Sequence, residues 1–380
     1  MCGKLLFLGA KKIIAVSLFA FYAVSISNGN GGGAAGAKPM CYTDVESRKE
    51  ILDGEWNLVD REPNGYNNLS CSIEFTKYSC VHQGSLGRAQ YAAQLEFFPS
   101  SCSLKPARDE IDAAKMYAGG VRNRSVYFIG DSLMKQVAIS LVCSLESSGQ
   151  VQELEVDWAC SPGLPEAWRC STPNCVACGP HSGFHHMRAR LRPQQSRDDG
   201  PDGDVSLQYW YREGNDRVSQ DAIEHLKRVI GPDDILFVQA GVHGTREKAT
   251  ERMLGLVTDI LNLPNLQMQR PKIIWIATYD QNFPTKTGEY NQAQMNGSHR
   301  CSPHSTLHRA SFEKYMMASK ASQIFDGFIF LKGMNKLGGA KVGSVNHGRF
   351  FDCTHFCLPG PPDKLADAVH TYLVSTGSRE

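Results

Sequence analysis

Four short runs of aliphatic and aromatic residues constrain the fold more than anything else in this sequence. They are Ser125-Val-Tyr-Phe-Ile129, Asp234-Ile-Leu-Phe-Val-Gln-Ala-Gly241, Lys272-Ile-Ile-Trp-Ile-Ala-Thr278 and Gly327-Phe-Ile-Phe-Leu331. A strand with one face in water alternates apolar and polar residues; strands this uniformly apolar are covered on both faces, which is the habit of parallel sheets sandwiched between helices. The intervening segments supply helices over 133–145, 219–230, 246–263, 306–324 and 364–374, the third opened by a capping Thr245. A further strand, Val205-Ser-Leu-Gln-Tyr-Trp-Tyr211, keeps an alternating pattern. The expected fold class is therefore α/β, a parallel sheet flanked by helices. Ligand sites in such sheets lie at the carboxyl ends of the strands, where Ser132, the Gln239–His243 segment and the Tyr279–Phe283 segment all fall.

The first apolar run is followed at once by Gly130-Asp131-Ser132 and a helix with Leu133, Val137, Ile139, Leu141 and Val142 as its apolar positions. A Ser at a strand-to-helix junction has its hydroxyl lifted out of the sheet. It also sits at a helix N-terminus, where N–H groups and the helix dipole favour negative charge. Acyl transfer through a nucleophilic Ser needs both. The same three residues also serve plain turns, so the reading depends on a base elsewhere. Asp352 and His355, three apart in Phe351-Asp-Cys-Thr-His-Phe-Cys-Leu-Pro-Gly360, are the candidates. His355 takes the Ser132 proton in this reading and Asp352 orients the imidazole. The bland alternative is a capping Asp and a surface His.

The amino-terminal residues bear on compartment. Lys4, Lys11 and Lys12 precede an uncharged run from Ile13 to Ser27, and a Gly/Ala-rich stretch follows. Residues 1–37 thus read as a signal peptide or signal anchor plus linker; the run is shorter than the ~20 residues of a comfortable span. Twelve cysteines follow the apolar run, enough for six disulfides in an oxidising lumen. Sequons at Asn68, Asn123 and Asn296 agree with that compartment. The near-zero balance, 40 Lys and Arg against 39 Asp and Glu, gives no electrostatic case for a nucleic-acid partner. Residues 38–118 read as a turn-rich lobe held by disulfides, with a strand over 91–98, and residues 119–380 as the catalytic domain. Within the latter, 158–204 is an irregular Cys-rich insertion. Its Cys160, Cys170, Cys175 and Cys178 suit two disulfides, with zinc as the alternative; no resident metal or cofactor is expected.

Gly130-Asp-Ser132 together with Asp352-Cys-Thr-His355-Phe-Cys-Leu-Pro-Gly360 resembles the PC-esterase group of the GDSL/SGNH hydrolase superfamily, which includes the plant trichome-birefringence-like polysaccharide O-acetyltransferases. Gly54-Glu-Trp56, Cys71, Cys80, Phe98-Pro-Ser-Ser-Cys-Ser-Leu104, Gln281-Asn-Phe-Pro-Thr285 and Gly288-Glu-Tyr290 add to the similarity, which covers most of 41–372. The resemblance implies a three-layer, flavodoxin-like SGNH fold and a Ser132–His355–Asp352 triad. It also implies Gln239, Gly241 and His243 as oxyanion or substrate residues, and disulfides Cys41–Cys102, Cys71–Cys143, Cys80–Cys357 and Cys301–Cys353. The implied activity is luminal O-acyl transfer, acetyl above all, from an acyl-donor co-substrate to a glycan or polysaccharide hydroxyl. Hydrolysis by the same triad is the second reading, and a silent glycan-binding protein the third. The implied location is the Golgi lumen, as a type II membrane protein, or secretion. The chain departs from the family pattern at Lys135-Gln136 in place of Arg-Asn, at Gln239-Ala-Gly241 in place of Asn-x-Gly, and at Asn282 in place of a His.

Overall fold

The computed structural model describes residues 38–44, 46–59, 71–73, 86–109, 113–118, 124–157, 185–192, 205–211, 226–242, 246–266, 268–281, 283–285, 301, 324–337, 346–347, 350–351 and 353–377. In chain order the principal elements are β1 (Gly54–Leu58), α1 (Leu86–Gln94), β2 (Leu95–Pro99), α2 (Ala113–Ala118), β3 (Arg124–Ile129), α3 (Ser132–Ser147), β4 (Val151–Asp157), β5 (His185–Leu191), β6 (Val205–Tyr211), β7 (Ile235–Val238), α4 (Arg246–Leu261), β8 (Lys272–Ile276), β9 (Gly327–Ile329), β10 (Asn346–His347), β11 (Phe350–Phe351) and α5 (Pro361–Gly377).

All four apolar runs pair in one seven-stranded sheet of order β4-β5-β6-β3-β7-β8-β9. The five strands from β6 to β9 are parallel, while β4 and β5 add antiparallel to the β6 edge. Side chains of β3, β7 and β8 alternate between two cores, as the period of a strand requires. Val126, Phe128, Phe237 and Ile274 face one core, with Leu133, Val137, Leu141, Val369 and Leu373 from α3 and α5. Tyr127, Ile129, Val238 and Trp275 face the other, with Met253, Val257 and Ile260 from α4. Helices therefore cover both faces, which is why these strands carry so little polarity.

The chain leaves β3 toward β6 on one side, then crosses to β7 on the other. That reversal makes the carboxyl end of β3 a topological switch point, where open α/β sheets form their crevices.

Several expectations need correction. Residues 91–98 are not one strand: Tyr91-Ala-Ala-Gln94 ends α1, and only β2 is extended. Ala92 is fully buried against Cys357, a packing that a helical turn of small residues permits and an alternating strand would not. The insertion over 158–204 is not irregular throughout, because β5 lies inside it with Met187, Ala189 and Leu191 buried between Arg188 and Arg190. β4 joins the same edge as β5, and the sheet is mixed rather than wholly parallel. Nor does the 38–118 segment rely on disulfides alone. Cys41, Tyr42, Leu95, Phe97 and Tyr117 belong to the same core as Phe128 and Val137, and 38–380 forms one compact unit. The expected helix over 306–324 lies almost wholly outside the described residues, as do the leader over 1–37, the three sequons and the cysteines at 160, 170, 175 and 178. Among the described residues no helix is long and apolar enough to cross a membrane.

Disulfides join Cys41 to Cys102, Cys71 to Cys143 and Cys301 to Cys353, three of the pairs that the resemblance implies. Cys357 is disulfide-bonded as well, and Cys80 lies outside the described residues.

Candidate active site

At the end of β3 the backbone must turn sharply within a crowded space. A Cβ on Gly130 would come within 2.8 Å of the Met134 Cβ and 3.2 Å of the Gln239 Cβ, so glycine is required there. Asp131 follows in extended conformation and caps α3, its Oδ1 accepting from the Leu133 N–H at 2.9 Å. Ser132 is thus the first helical residue, with its N–H among the first-turn donors that have no intrahelical acceptor. Its Oγ lies 2.6 Å from His355 Nε2, across 223 residues of sequence. Ser132 is 8% exposed and His355 partly buried, so the pair is reached from solvent without being bathed in it.

Asp131 also fixes the neighbouring loop. Its Oδ2 accepts from the Val242 N–H at 2.6 Å. Gly241, just before it, has φ +78°, and a Cβ there would stand 2.5 Å from the same Oδ2. Asp131 O accepts from the Tyr209 hydroxyl at 3.0 Å. The turn carrying Ser132 is therefore tied to β6 and to the loop after β7. Tyr279, at the end of β8, stacks edge-on against Phe356 at 5.2 Å. Burial, reinforced by the Asp363 and Asp131 carboxylates, pushes its phenol well above the ordinary range, so it stays neutral.

The His355 segment is held from both sides. Gln281 Nε2 donates to Thr354 Oγ1 at 2.9 Å, and Cys301–Cys353 closes a small apolar cluster with Phe283. On the far side of the histidine, Gln136 Nε2 donates to Phe356 O at 2.6 Å, and the Phe356 N–H donates to Gln136 Oε1 at 3.3 Å. A histidine fastened at the residue before and the residue after has its backbone fixed relative to the serine.

Among the sequence-predicted residues, then, Ser132 and His355 meet. Asp352 and His243 lie outside the described residues. Gln239 is fully buried, its backbone N–H bonded to Ile129 O and its Nε2 placed 3.4 Å from Ala277 O. Gly241 contributes its backbone conformation to the loop beside Asp131. Sequence reasoning missed the roles of Asp131, Tyr209 and Gln136. Gln136 had a signal: it stands four residues after Ser132, on the same helical face. A separate cavity of about 390 Å³ lined by Glu96, Arg108, Lys364 and Asp367 does not include Ser132 or His355. Its Lys364 ammonium is already paired, 2.7 Å from Glu96 and 3.0 Å from Asp367. Among the described residues no cluster of His, Cys, Asp and Glu is arranged to hold a metal ion.

No family model matches this sequence, and comparison with curated proteins finds no match.

Proposed function

We propose that this protein transfers an acyl group, acetyl above all, through Ser132 to a hydroxyl of a glycan or polysaccharide in the lumen of the secretory pathway. The observation that supports this reading is the 2.6 Å approach of His355 Nε2 to Ser132 Oγ, with Ser132 at the N-terminus of α3. A serine hydroxyl is a weak nucleophile until a base takes its proton, and this contact is within the reach of proton transfer.

In the first half-reaction Ser132 Oγ attacks the donor's acyl carbon and its proton passes to His355 Nε2. The leaving group takes that proton as its bond to the acyl carbon breaks. In the second, a sugar hydroxyl gives its proton to His355 and attacks the acyl-serine, and Ser132 recovers the proton as it departs. The negative charge developing on the carbonyl oxygen is met by the Ser132 N–H and the dipole of α3. The mostly parallel sheet, its helices on both faces and the site at the switch point are what an SGNH-type hydrolase fold would supply, and the resemblance in the sequence points the same way.

The test is direct. Purified luminal protein is incubated with an activated acetyl ester, with and without oligosaccharide acceptors, beside Ser132→Ala. Acetylated sugar that falls by about 10⁴-fold or more in the Ser132→Ala variant is the expected result. Free acetate formed at the same rate with or without acceptor would make water the natural acceptor and the protein an esterase. Undiminished transfer by Ser132→Ala would refute the mechanism.

A further inference from the structure

We infer that Gln136 is a positioning residue that sets the reach of His355 to Ser132. The inference rests on the proposed Ser132–His355 chemistry for its catalytic meaning, but its geometric content stands apart from that chemistry.

Three observations carry it. First, Gln136 lies one helical turn after Ser132 in α3, so nucleophile and clamp project from the same rigid element and move together. Second, its amide makes both hydrogen bonds that an amide can offer to one peptide unit pair, donating to Phe356 O at 2.6 Å and accepting from the Phe356 N–H at 3.3 Å. Phe356 is the residue directly after His355. The distance from Ser132 to the histidine backbone is therefore measured out by the length of one glutamine side chain. Third, Gln136 is fully buried, and so is Phe356 at 4% exposure, leaving little room for water to replace the amide. Polar atoms orphaned in such a place are costly, so this segment has a strong preference for the clamped arrangement.

Length matters here as much as chemistry. An Asn at this position would end one methylene short of Phe356, and the histidine would have to move toward the helix or lose the bonds. Gln281 on Thr354 and the Cys301–Cys353 disulfide restrain the segment from its other end. Neither of these originates on α3, so neither can fix the histidine against the serine's own helix. Gln136 does.

The test uses two variants of the full luminal chain and two measurements. Gln136→Met fills the same volume without either hydrogen bond. Gln136→Glu restores both bonds only while the introduced acid is protonated, since a neutral carboxyl can donate to Phe356 O and accept from the Phe356 N–H. The first measurement is crystallographic. Gln136→Met should carry His355 Nε2 beyond about 3.2 Å from Ser132 Oγ, outside hydrogen-bond reach. An unchanged His355–Ser132 contact would overturn the inference. The second is the rate of Ser132 labelling by a fluorophosphonate, relative to wild type, across pH. Gln136→Met should be slower by about 10²-fold at every pH, the cost of a misplacement near 1 Å. For Gln136→Glu the ratio to wild type should fall as pH rises and the acid ionises, a dependence that mere filling of space would not produce. Flat, wild-type-like ratios for both variants would overturn the inference too. If wild-type Ser132 does not label at all, the proposed acyl-transfer reading fails, while the crystallographic arm still decides whether Gln136 holds His355.

Discussion

Replacing Gly241 by Ala should destabilise the protein through one identifiable atom pair. Gly241 has φ +78°, where an L-residue is strained by about 1–2 kcal/mol. The new Cβ would also lie 2.5 Å from Asp131 Oδ2 and 2.7 Å from Asp131 Cγ, so the carboxylate must swing away. It would then give up the 2.6 Å bond from the Val242 N–H, a charge-assisted bond worth about 1.5–3 kcal/mol. The expected cost of Gly241→Ala is therefore about 2.5–5 kcal/mol. Asp131→Ala loses the same bond and the α3 cap, the latter about 1 kcal/mol, for a total of about 2.5–4 kcal/mol. The two costs share a term. Once Asp131 is Ala, the carboxylate atoms that Gly241→Ala would strike are gone, and the second change should add only its backbone strain. A double-mutant cycle by urea unfolding of the disulfide-intact protein should show a coupling of about 1.5–3 kcal/mol. Additivity within about 0.5 kcal/mol would refute the claim that Asp131 and Gly241 form one unit at the switch point.

Two further perturbations probe the same framework. Replacing Cys301 and Cys353 by Ser opens a loop with a sequence separation of 52 and should cost up to about 4 kcal/mol by the loop-entropy relation; urea midpoints under non-reducing conditions measure it, and a loss below about 1 kcal/mol would count against a bracing role. Asp234 stands directly before β7 with its carboxylate accepting from the Ser125 and Gly231 N–H groups at 2.8 and 2.7 Å, yet burial raises its pKa above the ordinary 3.8. The folded state thus holds this proton over a window above pH 3.8 in which the unfolded chain has released it. Stability contributed by Asp234 is lost as pH rises through that window. The stability difference between wild type and Asp234→Asn should therefore shrink with rising pH in thermal melts, and a difference that grows would refute the assignment.

How much of this was legible beforehand follows from which interactions are local. The four apolar strands declared themselves because burial on two faces leaves no polar positions, and α3 declared itself through its apolar spacing. β4 and β5 were harder to see. They lie at the sheet edge, where Arg188 and Arg190 alternate with buried Met187 and Ala189, and charged residues in a Cys-rich neighbourhood masked a period of two. Tyr91-Ala-Ala-Gln94 misled in the opposite sense: aromatic and small residues suit a strand locally, but packing of Ala92 against Cys357 decided for a helix. At the site, Ser132 and His355 could be proposed because each sits in a short, chemically suggestive string. Gln136 and Tyr209 could not be paired with their partners by any local rule, since those partners are 220 and 78 residues away.

Asp131 joins two elements of the crevice through its carboxylate. Its two carboxylate oxygens each accept a backbone N–H, one from Leu133 and the other from Val242. Its work is to join the helix to the loop after β7. The same bonds consume two N–H groups that would otherwise face the crevice. Neither Leu133 nor Val242 can then stabilise an oxyanion without releasing Asp131. Charge stabilisation in the proposed reaction therefore rests first on the Ser132 N–H and the α3 dipole.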